Sequence, residues 1–151
     1  MFINEANLFN GLSQGCVNGL AKIMQEQNYS KGDYIFNEGD PAEVFYVLEE
    51  GRVRLSIGDM GHIVYIINDQ GSAFGWSSLV NRDCYTASAE CVTDCSIIKI
   101  DKEKLESLFA AHLSDGVLFY KRLAESIGER LLNSYGTLLT SQHREAEPSY
   151  G

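Results

Sequence analysis

The spacing of apolar residues divides the chain into a short helical start, a strand-rich middle and a helical end. After Ser13, apolar residues recur every three or four positions, which predicts an amphipathic helix over residues 13–26 with Ser13 as its N-cap. The recurring residues are Val17, Leu20, Ala21 and Met24. An apolar trio just before this helix predicts a short helical turn: Leu8, Phe9 and Leu12.

From Asn28 onward the apolar residues form short runs of β-branched and aromatic side chains. The predicted strands cover residues 34–36, 44–48, 53–57, 63–67, 86–91 and 96–100. Turn signals separate them at residues 31–33, 38–41, 49–51, 58–61 and 93–94. Short strands joined by frequent tight turns are typical of an antiparallel roll or barrel, so we expect an α+β fold that is mainly β.

Two helices are predicted after the strands. Asp101 is the expected N-cap of a helix that ends near Ala111, and a longer helix begins at residue 114 or 115 and ends near Thr140. The long helix carries an apolar row at alternating steps of three and four, interrupted at Ser134: Val117, Tyr120, Ala124, Ile127, Leu131 and Leu138. Five further residues widen the stripe: Leu118, Leu123, Leu132, Tyr135 and Leu139. Because one small roll offers too little surface to cover this stripe, we predict a homodimer interface, with packing wholly on the chain's own core as the alternative.

These elements define the predicted organisation of the chain. It comprises an N-terminal helical segment (1–27), a β-roll (28–100), C-terminal helices (101–140) and a polar tail (141–151) that we expect to be frayed from His143. A formal net charge of -9 argues against a nucleic-acid surface. No apolar run approaches the ~20 residues that cross a bilayer, and residues 1–5 do not resemble a signal peptide, so we expect a cytoplasmic protein without a membrane partner.

The cysteines and histidines give little support for a metal centre. Cys16, Cys84, Cys91 and Cys95 form no Cys-x-x-Cys pair, and the three histidines are scattered, so we predict no metal and no cofactor. A redox or heme sensor that uses Cys84, Cys91, Cys95 or His62 is a weaker alternative. A metal-dependent enzyme built on a similar roll would need His and Glu clusters on facing strands, and His62 stands alone among the strands. We therefore expect no enzymatic activity.

The glycine-rich stretch at residues 71–89 is the strongest candidate for a binding site. It opens with Gly-x-x-Phe-Gly, from Gly71 to Gly75, and ends on small residues that enter a strand. Glycines allow backbone N–H groups to approach a ligand closely, an arrangement that suits an anion. Arg82 is the single cation of this stretch and lies beside Asp83. The pattern predicts a ligand pocket without identifying the ligand.

Three motifs resemble the cyclic-nucleotide-binding domain. They are Lys31-Gly32-Asp33-Tyr34-Ile35-Phe36-Asn37-Glu38-Gly39-Asp40, Phe45-Tyr46-Val47-Leu48-Glu49-Glu50-Gly51-Arg52-Val53 and Gly71-Ser72-Ala73-Phe74-Gly75. The last is similar to the start of that family's phosphate-binding cassette, and the resemblance covers residues 8–139. It implies the eight-stranded, jelly-roll-like β-roll of catabolite-activator-type regulators, in which the last helix dimerises.

Two positions depart from the family's pattern. The family usually places a Glu after the cassette's Phe-Gly to accept the ribose hydroxyl, and an Arg nine positions later to hold the cyclic phosphate. Trp76 and Tyr85 occupy these positions. A charge-assisted hydrogen bond is worth ~1.5–3 kcal/mol, so the loss of both predicts that cyclic AMP binds orders of magnitude more weakly. Arg82 is a possible substitute for the missing charge. The predicted effector-binding residues are Gly71, Phe74, Gly75, Trp76, Ser77, Arg82, Tyr85, Thr86, Ala87 and Ser88.

Two functional hypotheses follow. In the first, the chain is a dimeric regulatory sensor whose pocket is retuned for a flatter or less charged effector, with Trp76 and Tyr85 stacking on it. In the second, aromatic rings fill the pocket, and the domain serves in dimerisation or partner docking. Catabolite-activator relatives place a DNA-reading domain after the long helix, whereas residues 141–151 alone follow here. We therefore expect no DNA contact from these residues, whether the chain stands alone or was cut from a longer regulator.

Overall fold

The computed structural model describes residues 7–146, and the side chains of residues 8–140. The described part begins with a 3-10 turn at Asn7–Phe9, as the apolar trio predicts, and contains three α-helices and eight strands. The helices are α1 (Gln14–Ile23), α2 (Lys102–Ala111) and α3 (Leu113–Ala146). The strands are β1 (Met24–Tyr29), β2 (Tyr34–Phe36), β3 (Val44–Glu50), β4 (Val53–Ile57), β5 (His62–Ile67), β6 (Ala73–Phe74), β7 (Ser88–Cys91) and β8 (Cys95–Asp101).

The strands form two four-stranded antiparallel sheets. One sheet has the order β1-β8-β3-β6 and the other the order β2-β7-β4-β5. This architecture confirms the predicted mainly-β, jelly-roll-like α+β fold with an N-terminal helix and a long C-terminal helix. Tyr85 precedes β7 and Trp76 follows β6, and the fold brings both to the wall of one cavity.

The core has two layers, and β3 separates them. Phe45 and Val47 face the helices, where they join Phe119 in one apolar cluster, while Tyr46 and Leu48 face the opposite sheet. A strand with both faces covered needs apolar residues at consecutive positions, because successive side chains point to opposite sides. This explains why residues 44–48 form an uninterrupted apolar run in the sequence.

The ends of the helices follow the predicted caps, with one correction. The Ser13 hydroxyl accepts a hydrogen bond from the Cys16 N–H, and the Asp101 carboxylate accepts one from the Lys104 N–H, so both N-caps are confirmed. The expectation that α1 continues to residue 26 was wrong, because α1 ends at Ile23 and Met24 begins β1. β1 pairs with β8 over six positions, from Met24 opposite Ile100 to Tyr29 opposite Cys95. Hydrogen bonding to that neighbour outweighs the helical spacing of Met24.

The long helix α3 lies on the roll for its first half and extends away from it afterwards. Phe119 and Leu123 are buried in the core, whereas every residue of 131–140 is exposed. The helix continues to Ala146, so the predicted end near Thr140 was six residues too early; residues 147–151 of the predicted tail lie outside the described residues. No helix in the described range 7–146 is long and apolar enough to cross a membrane.

Candidate functional site

A cavity of about 220 Å³ lies at the junction of the β2-β7-β4-β5 sheet, the cassette and α3. Its walls are mainly apolar, and one residue, Arg130, is charged among those that line it. The sheet side is formed by Phe36, Leu55, Ile57, Val64 and Tyr65. The cassette contributes Gly75, Trp76, Ser77, Tyr85, Thr86 and Ala87, and the helix contributes Arg130 and Ser134. The cavity is therefore lined both by the roll and by α3, the helix that extends away from the roll.

The cassette is shaped by a sharp change of direction at Gly75. Gly75 has φ +72°, and a Cβ at this position would lie 2.8 Å from the ring of Tyr46. Both the left-handed conformation and the close approach therefore require glycine. A 3-10 turn, Trp76–Leu79, follows at once, and the Ser78 hydroxyl donates a hydrogen bond to the Gly75 carbonyl. This turn brings Trp76 to the wall of the cavity.

Tyr85 forms part of the cavity wall and uses its hydroxyl inside the fold. Its ring stacks on Phe36 with centroids 3.8 Å apart, and its hydroxyl donates a hydrogen bond of 2.6 Å to the Val44 carbonyl. Burial raises the pKa of the Tyr85 phenol, so the group is neutral at physiological pH. A neutral hydroxyl already bonded to the backbone cannot replace the charged donor that a cyclic phosphate needs.

The structure brings six of the ten predicted effector residues together and places the other four elsewhere. Gly75, Trp76, Ser77, Tyr85, Thr86 and Ala87 line the cavity. Gly71 donates its N–H to the Leu48 carbonyl, Phe74 is buried in the core, and the Ser88 hydroxyl accepts a hydrogen bond from the Glu38 N–H. Arg82 is exposed and does not line the cavity.

Arg130 is the charged residue among the cavity residues that the sequence did not suggest. It lies on α3, far from the cassette in sequence, and its guanidinium carbon stands 4.9 Å from the centroid of the Tyr65 ring. Its Nη2 donates a hydrogen bond to the carbonyl of Ala73 in β6. The signal that could have found it is its place three residues after Ile127, which puts both side chains on one face of the helix.

The predicted dimer row on α3 is split between two environments. Tyr120 and Ile127 pack against the chain's own core, and the Tyr120 ring meets Phe109 and Phe119 edge-on. Val117, Ala124, Leu131 and Leu138 are exposed. In the outer half of the helix, the exposed apolar stripe consists of Leu131, Leu132, Tyr135, Leu138 and Leu139.

The cysteines and histidines remain apart from the cavity. Cys16, Cys91 and Cys95 are buried and Cys84 is exposed, all as free thiols. Burial raises the pKa of Cys91 to about 12, so its thiol is protonated at neutral pH. Within the described residues, no group of three His, Cys, Asp or Glu side chains is placed to hold a metal ion.

The profile of the cyclic nucleotide-binding domain family matches residues 26–112. A cGMP-dependent protein kinase of Drosophila melanogaster is 26% identical over 114 residues, a match that covers 72% of this chain and 12% of the kinase. A CRP-like cAMP-activated global transcriptional regulator of Mycobacterium tuberculosis is 25% identical over 108 residues, covering 70% of this chain and 48% of the regulator. These matches therefore span less than half the length of either relative.

A solved cyclic nucleotide-binding domain from Methylobacillus flagellatus superposes on this chain with a TM-score of 0.79. The alignment covers 93% of this chain and 80% of that structure, at 22% sequence identity. At this identity the likeness concerns the fold, and the fold includes the roll and the helices that flank it.

Proposed function

Because the chain belongs to the cyclic nucleotide-binding domain family, we propose that it is a regulatory sensor whose cavity binds a small, flat effector other than cyclic AMP or cyclic GMP. The cavity is lined on one side by the cassette and on the other by Arg130 and Ser134 of α3. An effector that contacts both sides shifts the equilibrium between helix positions by its differential affinity for them. The signal then passes along α3.

The observation that carries this proposal is the composition of the cavity wall. The half-buried Trp76 and the ring of Tyr65 offer flat apolar surfaces, which favour an aromatic or unsaturated ligand. A volume of about 220 Å³ is below the ~300–1,000 Å³ of drug-sized sites, so the cavity favours a small effector.

Cyclic AMP fits this site poorly. The indole of Trp76 has a donor but no acceptor for a ribose hydroxyl, and Tyr85 is neutral and bonded to Val44. Two missing charge-assisted bonds of ~1.5–3 kcal/mol each correspond to a loss of about 10²- to 10⁴-fold in affinity.

The single tryptophan of the chain allows a direct test. Because Trp76 is the one Trp and lines the cavity, its fluorescence reports on occupancy. We expect no saturable change when micromolar cyclic AMP or cyclic GMP is titrated into the protein, and none by calorimetry. Saturable binding of either nucleotide with a micromolar Kd would contradict the proposal. A Trp76→Phe variant, which should lose the emission, identifies the source of the signal.

We also propose that two copies of the chain associate through the outer half of α3. The residues of the apolar stripe from Leu131 to Leu139 are exposed and belong to neither core cluster of the described residues. Pairing with a second copy would remove it from water.

A docking or dimerisation module with an empty pocket is the second candidate. The stack of Tyr85 on Phe36 and the small cavity favour it, because rings occupy space that a ligand would need. Native mass spectrometry of the purified protein distinguishes the two candidates. A bound small molecule supports the sensor, and a ligand-free protein that binds no member of a panel of small aromatic compounds supports the docking module.

A further inference from the structure

Arg130 carries a positive charge into a cavity whose other lining residues are neutral and mainly apolar. Its side chain is half-buried between the Tyr65 ring and the Ala73 carbonyl. Burial lowers the pKa of the guanidinium, yet an arginine stays protonated under all physiological conditions. The cavity therefore holds one permanent cation.

The partners of this cation are neutral. Among the described residues, neither the Arg54–Glu90 ion pair nor the contact between His112 and Asp115 involves Arg130. The acidic residues nearest to it in sequence, Glu125 and Glu129, line a separate crevice with Ser72. A half-buried charge without a counter-charge is costly, and an anion in the cavity would offset that cost.

The guanidinium can bind an anion while it keeps its hydrogen bond to the Ala73 carbonyl of the roll. Nη2 donates to the Ala73 carbonyl and the Tyr65 hydroxyl is a second hydrogen-bond partner, so the fork of five N–H donors still leaves donors for a ligand. A carboxylate accepts two parallel hydrogen bonds from such a fork, which supplies direction as well as charge. Trp76 and Tyr65 line the same cavity, so a ring attached to that carboxylate could contact aromatic surfaces.

We propose that Arg130 is the anion receptor of this cavity and that the effector is a small aromatic carboxylate of one or two rings. The inference rests on the proposed function, because it assigns the ligand class of the same cavity. It places the charge that recognises the ligand on α3, in place of the charge that the cassette lacks at Tyr85. Effector binding thereby engages the helix directly.

The test compares two probes that differ in charge and little in shape, 2-naphthoate and its neutral amide 2-naphthamide. Titration calorimetry on the full chain should show that 2-naphthoate binds more tightly. Arg130→Gln should weaken 2-naphthoate binding by about 10- to 100-fold and leave 2-naphthamide binding within about twofold, since a charge-assisted bond is lost in the first case alone. Arg130→Lys, which keeps the charge and loses the fork, should give an intermediate loss.

Arg52→Gln is the matched control, because Arg52 is exposed and does not line the cavity. It should bind both probes as the wild type does, and circular dichroism melts should confirm that each variant is folded. If both probes bind the wild type equally and Arg130→Gln changes neither, the role of Arg130 is refuted while the pocket function stands. If the wild type binds neither probe, the ligand class is refuted; the fluorescence and mass-spectrometry tests decide the pocket function separately.

Discussion

At the scale of single residues, Tyr85 shows how a change of side chain alters both the charge and the shape of a site. A cationic side chain at this position would need a counter-charge or a ligand, because the position is buried. The phenol needs neither, since its ring stacks on Phe36 and its hydroxyl bonds to Val44. The position has therefore become part of the core, and the cavity's charge comes from Arg130 on another element.

Gly75 allows a prediction about the entry to the cassette. Gly75→Ala introduces a Cβ 2.8 Å from the Tyr46 ring and 3.2 Å from the Val44 carbonyl, at a positive φ. We expect Gly75→Ala to lower the free energy of unfolding by ~1–2 kcal/mol, because a non-glycine residue is strained in the left-handed conformation. Displacement of the Tyr46 ring should lower it further. Chemical denaturation measures the total loss in free energy of unfolding.

Gly39 provides the matched control for this substitution. Its φ is +91° and a Cβ there would have no neighbour within 4 Å, so Gly39→Ala carries the conformational cost alone. The difference between the two variants isolates the close approach to Tyr46. Equal destabilisation by both would show that the cassette tolerates a side chain at Gly75 and that the contact with Tyr46 imposes no constraint.

At the scale of elements, Ser13 and Asp115 join the N-terminal helix to the start of α3. The Ser13 hydroxyl donates a hydrogen bond of 2.6 Å to Asp115 Oδ2, and the Ser13 N–H donates one of 2.8 Å to Oδ1. These two bonds, with a smaller contribution from His112, lower the pKa of the Asp115 carboxyl. The cap of α1 is therefore bonded to the first turn of the helix that lines the cavity.

The depressed pKa gives this junction a defined pH dependence. The ionised carboxylate stabilises the folded state above the pKa of the unfolded chain, and the contribution is lost as pH falls through the lower folded pKa. Asp115→Asn should lower the free energy of unfolding by about 0.5–1 kcal/mol near neutral pH. The difference in this free energy between variant and wild type should shrink below about pH 4. Denaturant titrations between pH 7 and pH 3 measure it.

Asp59→Asn is a suitable control for the pH series, because Asp59 is exposed in the turn between β4 and β5. The free energy of unfolding of Asp59→Asn should match that of the wild type at every pH of the series. An Asp115→Asn deficit that stays constant down to pH 3 would show that the carboxylate's charge contributes nothing to the junction.

The elements that the sequence could predict are those with apolar faces or caps. β2, β4 and α2 begin and end where their patterns predict, because each buries a face or starts at a capping side chain. β1 gave no signal, since its middle residues are polar and exposed and it forms through pairing with β8. Likewise Arg130 enters the cavity through the packing of α3 on the roll, a long-range contact that cassette spacing does not encode.

At the scale of the whole molecule, α3 is longer than the part of it that packs on the roll. Ile127 packs against the core, whereas residues 131–140 are all exposed, a stretch of about 15 Å at 1.5 Å per residue. Gly136 lies in this stretch and Gly128 just before it, and a Cβ at either would have no neighbour within 4 Å. Glycine in a helix interior costs ~1 kcal/mol relative to alanine, so its presence favours a close approach of a second helix.

Substitution in the exposed stripe tests the proposed dimer. Leu138 is 57% exposed, so Leu138→Lys should leave the fold of one chain intact. If two copies pair there, each loses a buried leucine worth ~1.5–3 kcal/mol, and the dimer Kd should rise by about 10²- to 10⁴-fold. Sedimentation equilibrium over a range of concentrations measures this change in the dimer Kd.

Tyr34→Lys is the matched control, because Tyr34 lies in β2 and is 52% exposed. It should leave the dimer Kd unaltered. A wild type that is monomeric at high concentration, or equal effects of both variants, would refute pairing through α3 and leave the stripe to a different partner.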